Sequence, residues 1–388
     1  MTPAARVAAA IDILDRALSG APAEQALTGW ARASRYAGSG DRAAVRDLVF
    51  DALRCLRSYT ALAGAEKPSG RALMIGAGQD ALFTGEGHAP EPLNAEERLA
   101  REAALAYDDL PVAVRADCPD WLVPALSETL GDRFLPVMQA QRLRAPTWIR
   151  VNLARISRDD AQARLAAEGV ETEPANLTLS ALKVLGKNNK INMSPLYLEG
   201  LIELQDLSSQ AAVETLPLRD GIEVLDYCAG GGGKLLAMAA RVRAEFAAHD
   251  AAPERMRDLS ARAVRAGVRA KLVQTGALEG RRFDLVLVDA PCSGSGTWRR
   301  TPDAKWRLTP DRLTELGALQ AQILDQAARL VRPGGTLAYM TCSLLAVENG
   351  RQIADFLART PAFSLATERS FLPGDGGDGF YAAQIRHA

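Results

Sequence analysis

From Gly221 onward the chain alternates short apolar, β-branched runs with longer amphipathic stretches, and this alternation constrains the fold more than any other feature. Residues 222–227, 245–250, 270–274, 283–289 and 335–341 read as strands, and 234–242, 253–266, 311–331 and 347–359 as the helices between them. Such alternation specifies an α/β domain with a doubly wound parallel sheet. In an open sheet of that kind, ligands sit in the crevice outside the carboxyl ends of the strands.

Two of those strand ends carry thiols. Asp289-Ala290-Pro291-Cys292 follows one apolar run and Thr341-Cys342-Ser343 follows another. Both cysteines are expected in the same crevice although fifty positions separate them, and two thiols in one crevice point to covalent chemistry. Five cysteines without a CxxC pair argue against a disulfide framework or a cysteine zinc site and suit a reducing cytoplasm. Only His88, His249 and His387 are available for a histidine metal site or a Ser-His-Asp triad, so no metal is expected. No apolar run approaches the ~18 residues of a membrane span, and the first residues lack the pattern of a signal peptide. The net charge of −1 argues against strong nonspecific polyanion binding. Two stretches free of acids are candidate basic faces, or ordinary solvated surface. Residues 142–158 hold Arg142, Arg144, Arg150, Arg155 and Arg158, and residues 178–198 hold Lys183, Lys187 and Lys190.

After the first strand comes Cys228-Ala229-Gly230-Gly231-Gly232-Gly233-Lys234. A glycine-rich turn between strand and helix lets backbone approach a ligand closely. A dinucleotide GxGxxG starting at Gly230 would need glycine at Leu235; a Walker A loop would need glycine at Cys228 and Ser or Thr at Leu235. Both patterns fail, which disfavours a nucleotide-dependent dehydrogenase. Lys234 opposes the helix dipole, and an anionic ligand group, such as the carboxylate of a methionyl moiety, would offset that. The second strand ends at His249-Asp250, where an acid commonly accepts bonds from ribose hydroxyls. Nucleoside plus carboxylate, without demand for phosphate, points to S-adenosylmethionine.

The first part of the chain reads as helices. Val7, Ile11, Leu14 and Leu18 keep helical spacing, and so do Val45, Leu48, Val49, Ala52 and Leu53 behind the cap candidates Gly38-Ser39-Gly40-Asp41. Residues 84–94 form a turn-rich break; helices resume at 96–107 and 120–142, with Trp121 and Leu122 expected in the core. From Thr147 a small α/β segment begins, with a strand at 148–152, a helix from Ser157, a second strand near 171–173 and Asn188-Asn189 in a turn or exposed loop. The expected divisions are a helical domain over 1–83, a linker and helical segment over 84–146, a small α/β segment over 147–215 that carries the basic stretches and a catalytic domain over 216–388.

Asp289-Ala290-Pro291-Cys292-Ser293-Gly294-Ser295-Gly296, then Arg299-Arg300-Thr301-Pro302-Asp303-Ala304-Lys305-Trp306, then Thr341-Cys342-Ser343 with Glu348-Asn349, resemble the RsmB/NOL/NOP/Sun family of RNA cytosine-5 methyltransferases. Gln205-Asp206-Leu207-Ser208-Ser209-Gln210 and Asp378-Gly379-Phe380-Tyr381 add to the likeness, and residues 35–49 resemble the helical RNA-binding fold of the NusB antitermination family. The resemblance implies a Rossmann-like class I methyltransferase sheet behind a NusB-like all-α domain, acting on RNA, ribosomal first and transfer RNA second. It implies Cys342 as the nucleophile that adds to C6 of cytosine, Cys292 as the group assisting product release, and Asp289 in contact with base, cofactor or both. In DNA cytosine-5 methyltransferases a Pro-Cys thiol is the nucleophile, so the residues alone leave the two roles exchangeable; the Thr-Cys-Ser loop favours the RNA family. The resemblance also implies an S-adenosylmethionine site formed by residues 228–234, Asp250 and Asp289, and Arg299 and Lys305 on a substrate-facing rim. Two departures stand out. Gly231 replaces a common proline, and 274–279 lacks the acid usual near the adenine, which leaves Thr275 or backbone groups to substitute. A non-enzymatic RNA-binding assembly factor is the competing reading. No oligomer is specified, and a monomer is the default.

Overall fold

The computed structural model describes residues 1–186 and 191–388. Lys187, Asn188, Asn189 and Lys190 lie outside the described residues. The chain divides into two compact units, one of residues 1–145 with 297–309, the other of 146–296 with 310–388.

The first unit is helical. Pro3–Leu18 is capped by the Thr2 side chain, and Ser39–Arg54 starts at Gly38, whose N–H donates to Asp41 at 3.2 Å. The cap residue is therefore the glycine rather than a serine or acid. Val7 and Leu14 meet Val45, Val49, Ala52 and Leu53 in one core, as the spacing predicts; Ile11, Leu18 and Leu48 are only partly buried against it, and Ile13, outside the expected set, is buried there. Gly70 and Gly76 let helices touch: a Cβ on them would stand 2.3 Å from the Ile11 carbonyl oxygen and 1.8 Å from that of Tyr59. The stretch expected as a linker and helical segment carries the helices Ala95–Ala103, Val112–Arg115, Val123–Leu130 and Phe134–Ala140, and belongs to the same unit as the first 83 residues. Gly131, at a φ of +54°, breaks the single helix expected over 120–142. Leu122 is buried, but Trp121 is exposed, because the short 3-10 turn Asp120–Leu122 points it outward.

Residues 297–309, expected beside the active site, complete this helical unit. Trp306 Nε1 donates to the Leu53 carbonyl at 2.7 Å, Lys305 Nζ to that of Arg54 at 3.4 Å, and Arg54 Nε to that of Arg299 at 2.7 Å. Burial lowers the Lys305 pKa; the carboxylate of Asp117, itself fully buried, opposes that shift.

The second unit holds two sheets. Strands β1 (Trp148–Val151), β2 (Thr172–Pro174), β3 (Ala181–Val184) and β4 (Ile202–Leu204) form an antiparallel sheet ordered β2-β3-β1-β4. Strands β5 (Glu223–Asp226), β6 (Glu245–Ala248), β7 (Ala270–Leu272), β8 (Phe283–Asp289), β9 (Val331–Thr341), β10 (Phe363–Phe371) and β11 (Phe380–His387) form the larger one, ordered β10-β11-β9-β8-β5-β6-β7. Its five central and right-hand strands are parallel; β11 pairs antiparallel with both β9 and β10. The sheet is therefore mixed rather than wholly parallel. Helices cover both faces, and the cores beneath them are built from Val224, Leu285 and Leu287 on one side and Leu225, Val286 and Val288 on the other. That alternation is the two-residue period of a strand buried on both faces.

Most of the basic stretch at 142–158 is consumed inside the units. Arg142 pairs with Asp117 at 2.9 Å and Arg144 with Asp47 at 3.0 Å. Arg150 is buried, Arg155 donates to the carbonyls of Glu199 and Arg265, and Arg158 to those of Ala175 and Thr178. Lys183 pairs with Glu173 at 2.9 Å.

Replacing Lys305 by alanine takes away one of the two cations, with Arg142, that oppose the burial of the Asp117 carboxylate, so Lys305→Ala should destabilise the helical unit by about 1–3 kcal/mol. Chemical denaturation followed by limited proteolysis of residues 1–145 measures this.

Candidate active site

β8 and β9 run parallel with Asp289 level with Met340, so the loops that leave them start at the same height. The Ala290 N–H donates to the Met340 carbonyl at 2.9 Å and ties the loops at their base. Cys292 and Cys342 then bring their sulfurs to 3.4 Å, both as free thiols; a disulfide would need ~2.05 Å. The hydrogen bond between the two sulfurs, followed by burial, pushes the Cys292 thiol well above its ordinary pKa. Cys292 therefore holds its proton, and either sulfur can donate to the other across this contact.

A fully buried carboxylate fixes the two loops. Glu348 accepts from the Ser293 N–H at 2.8 Å, the Ser293 hydroxyl at 2.5 Å, the Ser343 hydroxyl at 2.5 Å and Gln320 Nε2 at 3.0 Å. Each serine directly follows one of the cysteines. Asn349 adds a second tie, accepting from the Thr341 hydroxyl at 2.5 Å and donating to the Ser343 carbonyl at 2.9 Å.

Across the crevice, Lys234 Nζ meets Asp289 Oδ2 at 2.5 Å and lies 5.2 Å from the centre of the Phe380 ring. Burial opposes the Lys234 charge, but Asp289 and then Asp226 more than offset it, and its pKa is raised. The anion expected opposite this lysine is thus supplied by the protein. Asp226, at the end of β5, is buried; burial first, then Asp289, lift its pKa to about 7. One of its oxygens has no hydrogen-bond partner.

The glycine loop follows. Gly230 and Gly232 have φ of +48° and +79°, and a Cβ on Gly232 would stand 2.8 Å from Leu259 Cγ. The Gly230 N–H donates to Asp250 Oδ2 at 3.0 Å and Ala229 N–H to the His249 carbonyl at 2.8 Å. The Ala252 N–H takes the other Asp250 oxygen at 3.0 Å, and the exposed Arg255 pairs with the same carboxylate at 3.1 Å. Gly231 has no proline ring to stiffen it; its carbonyl is instead held by Arg262, which pairs with Glu203 at 2.8 Å. Gly233 receives Arg150 Nη1 and Gln205 Nε2 on its carbonyl. Burial, then Asp226, raise the Cys228 thiol pKa, so this cysteine is a packed side chain rather than a reactive one.

The structure thus gathers Cys228 to Lys234, Asp250 and Asp289, with Cys292 and Cys342, at the carboxyl ends of β5, β6, β8 and β9. Thr275 follows β7 at the next strand end. Arg299 and Lys305 do not form a rim: they are only 5% and 2% exposed, and Lys305 belongs to the interior of the helical unit. Sequence reasoning did not assign Glu348, Asp226 or the Arg262–Glu203 brace. An acid ending the strand before a glycine loop was a usable signal for Asp226; the other two depend on contacts 55 and 59 residues apart in sequence.

The family model for 16S rRNA methyltransferase RsmB/F matches residues 213–386, and that for the RsmF/B-like ferredoxin-like domain matches 118–190. Ribosomal RNA small subunit methyltransferase B of Vibrio vulnificus is 33% identical over 310 residues, covering 76% of this chain and 72% of that protein. The chain belongs to the RsmB family of ribosomal RNA methyltransferases. The crystal structure of PH0851 shares the fold over 99% of both chains, with a TM-score of 0.76 at 23% identity. The crystal structure of NSun6 from Pyrococcus horikoshii with SFG matches 69% of this chain and 98% of its own, with a TM-score of 0.62 at 19% identity. S-adenosylmethionine is the methyl donor. The residues present fit it: the positive φ at Gly230 and Gly232 turns the loop back between strand and helix, and Asp250 offers a carboxylate one strand along. Among the described residues no helix is long and apolar enough to cross a membrane.

Two outcomes check this RsmB-family site. Glu348→Gln keeps the shape but loses the charge that its donors share, so it should cost about 2 kcal/mol of stability and lower methyl transfer at least about tenfold by loosening the sulfurs, about 1.4 kcal/mol on the barrier. Denaturant unfolding and methyl incorporation read the two effects separately. Asp226 binds its proton more tightly folded than unfolded, so its contribution falls as pH rises from about 4, the ordinary carboxylate value, to about 7. Asp226→Asn should flatten that slope and gain on the order of 2–4 kcal/mol relative to wild type at pH 8 over pH 4, measured by unfolding at both pH values.

Proposed function

We propose that the chain makes 5-methylcytosine in ribosomal RNA, with Cys342 as the nucleophile and Cys292 as the partner that lets the product leave. The observation that carries this reading is the 3.4 Å approach of the two sulfurs, one of which holds its proton tightly. Cytosine C5 is too weak a nucleophile to attack a methyl sulfonium unaided. A thiolate at Cys342 bonds to C6, and the ring becomes an enamine whose electron pair resides at C5. When bound, S-adenosylmethionine supplies an electrophilic methyl group to that carbon. A water molecule then takes the C5 proton, the C5–H pair forms the C5–C6 double bond, and the C6–sulfur bond breaks with its pair returning to Cys342.

The protein's own groups match these demands. The Cys292 thiol donates to the sulfur that must depart, which stabilises it as a leaving group. Asp289 has Lys234 on Oδ2, and the role given to its other oxygen is to accept from the exocyclic amine of the cytosine. A base must leave any stack to reach these thiols. The helical unit, which resembles the NusB fold, and the four-stranded sheet are proposed as RNA-binding parts, and the reaction takes place in the cytoplasm.

Methylation of 16S and transfer RNA by purified protein, followed by bisulfite mapping, identifies the substrate. Cys342→Ala should abolish transfer. Cys292→Ala should accumulate a protein–RNA adduct that survives denaturing electrophoresis. Full activity of Cys342→Ala, or methylation at a ring position other than C5, overturns the reading.

A further inference from the structure

His249, which follows β6 directly, is buried, yet none of the reaction steps above uses it. Its two ring nitrogens are both engaged. Nδ1 lies 2.8 Å from the Tyr227 carbonyl, and Nε2 lies 3.0 Å from the Thr275 hydroxyl. A carbonyl only accepts, so Nδ1 carries the hydrogen. In the neutral ring Nε2 is then an acceptor, and the Thr275 hydroxyl must donate to it. The Tyr227 ring stacks on the imidazole at 4.6 Å and 28°, which holds its plane.

Thr275 therefore has no hydrogen left to offer. It stands exposed at the start of the turn Thr275–Leu278, after β7. Its hydroxyl presents only lone pairs to the crevice, so a ligand group there must be a donor. The position specifies which one. β5, β6 and β7 are consecutive neighbours, about 4.8 Å apart. The glycine loop stands at the end of β5 and the ribose-binding candidate Asp250 at the end of β6. A base attached to that ribose lies one strand further, over the end of β7. Adenine carries a donor on its edge, the 6-amino group; a 6-oxo purine carries an acceptor in its place.

We propose that the Thr275 hydroxyl, with its proton committed to His249, accepts from the 6-amino group of the bound adenine, and that His249 is the positioning residue that makes this group a pure acceptor. The proposal rests on the assignment of the glycine loop and Asp250 to the cofactor. A neutral acceptor here does the work of an acid without placing another negative charge close to Asp250, Asp226 and Asp289. It also makes the site selective: a 6-oxo purine sets two lone pairs against each other, and its Thr275 side remains unpaired.

Calorimetric titration of the full chain with S-adenosylhomocysteine and with S-inosylhomocysteine tests this without turnover. The wild type should bind the adenosyl compound about tenfold or more tightly. Thr275→Val, equal in shape, should bring the two affinities within about twofold by weakening the adenosyl compound. Thr275→Ser should keep the preference. His249→Phe, which keeps the stack but frees the hydroxyl hydrogen, should narrow the preference while thermal unfolding confirms the fold. A Thr275→Val protein that retains the wild-type preference overturns the proposal. A wild type that binds neither compound overturns the cofactor assignment itself, and the proposal with it.

Discussion

The site depends on one buried carboxylate. Parallel pairing of β8 and β9 sets the height of the two cysteine loops, but it leaves their lateral approach free. Glu348 removes that freedom by taking donors from both loops at once, Ser293 from one and Ser343 from the other. A charge with no exposed surface persists only where hydrogen bonds replace the lost water, and four donors do so here. In a medium of low dielectric constant such charge-assisted bonds are short and stiff. The result is a pair of sulfurs whose separation is set by groups that never meet the substrate. The chemistry needs reacting atoms held to within a fraction of an ångström, and this carboxylate is the means.

The cofactor side is held by a different device with the same logic. The loop from Cys228 to Lys234 is rich in glycine and lacks a proline, so its own backbone does little to fix it. Glu203 of β4 holds Arg262 and Arg265, and Arg262 reaches the Gly231 carbonyl. Arg150 of β1 and Gln205 reach the Gly233 carbonyl. The small antiparallel sheet is thus a buttress for the loop. This explains why Arg150 of the basic stretch is spent internally instead of lying on an open face.

How much of this was legible in the sequence varies with the range of the contacts. The parallel strands were readable because Phe283-Asp284-Leu285-Val286-Leu287-Val288 and its neighbours are buried on both faces and carry β-branched residues. β10 was not, since its residues from Ser364 to Ser370 are exposed and show no alternation. With it went the antiparallel edge of the sheet. The cysteine pair and the glycine loop were visible because strand ends converge by topology alone. Lys305 was misplaced because adjacency to the Cys292 loop in sequence suggested adjacency in space, whereas its indole neighbour Trp306 bonds to Leu53. Glu348 stood in the recognised motif, but its task appears only when Ser293, 55 positions earlier, is folded against it.

The helical unit does not consist of one continuous piece of chain. Residues 297–309 close its interior, and they arrive only after the polypeptide has passed through most of the second unit. A ribosome adds about 5–20 residues each second, so the first 145 residues wait on the order of ten seconds for the segment that completes them. During that interval Asp117 has no Lys305 and the Leu53 and Arg54 carbonyls have no donors from it. The order of synthesis therefore makes the helical unit mature late, after the loop that bears Cys292 has been made.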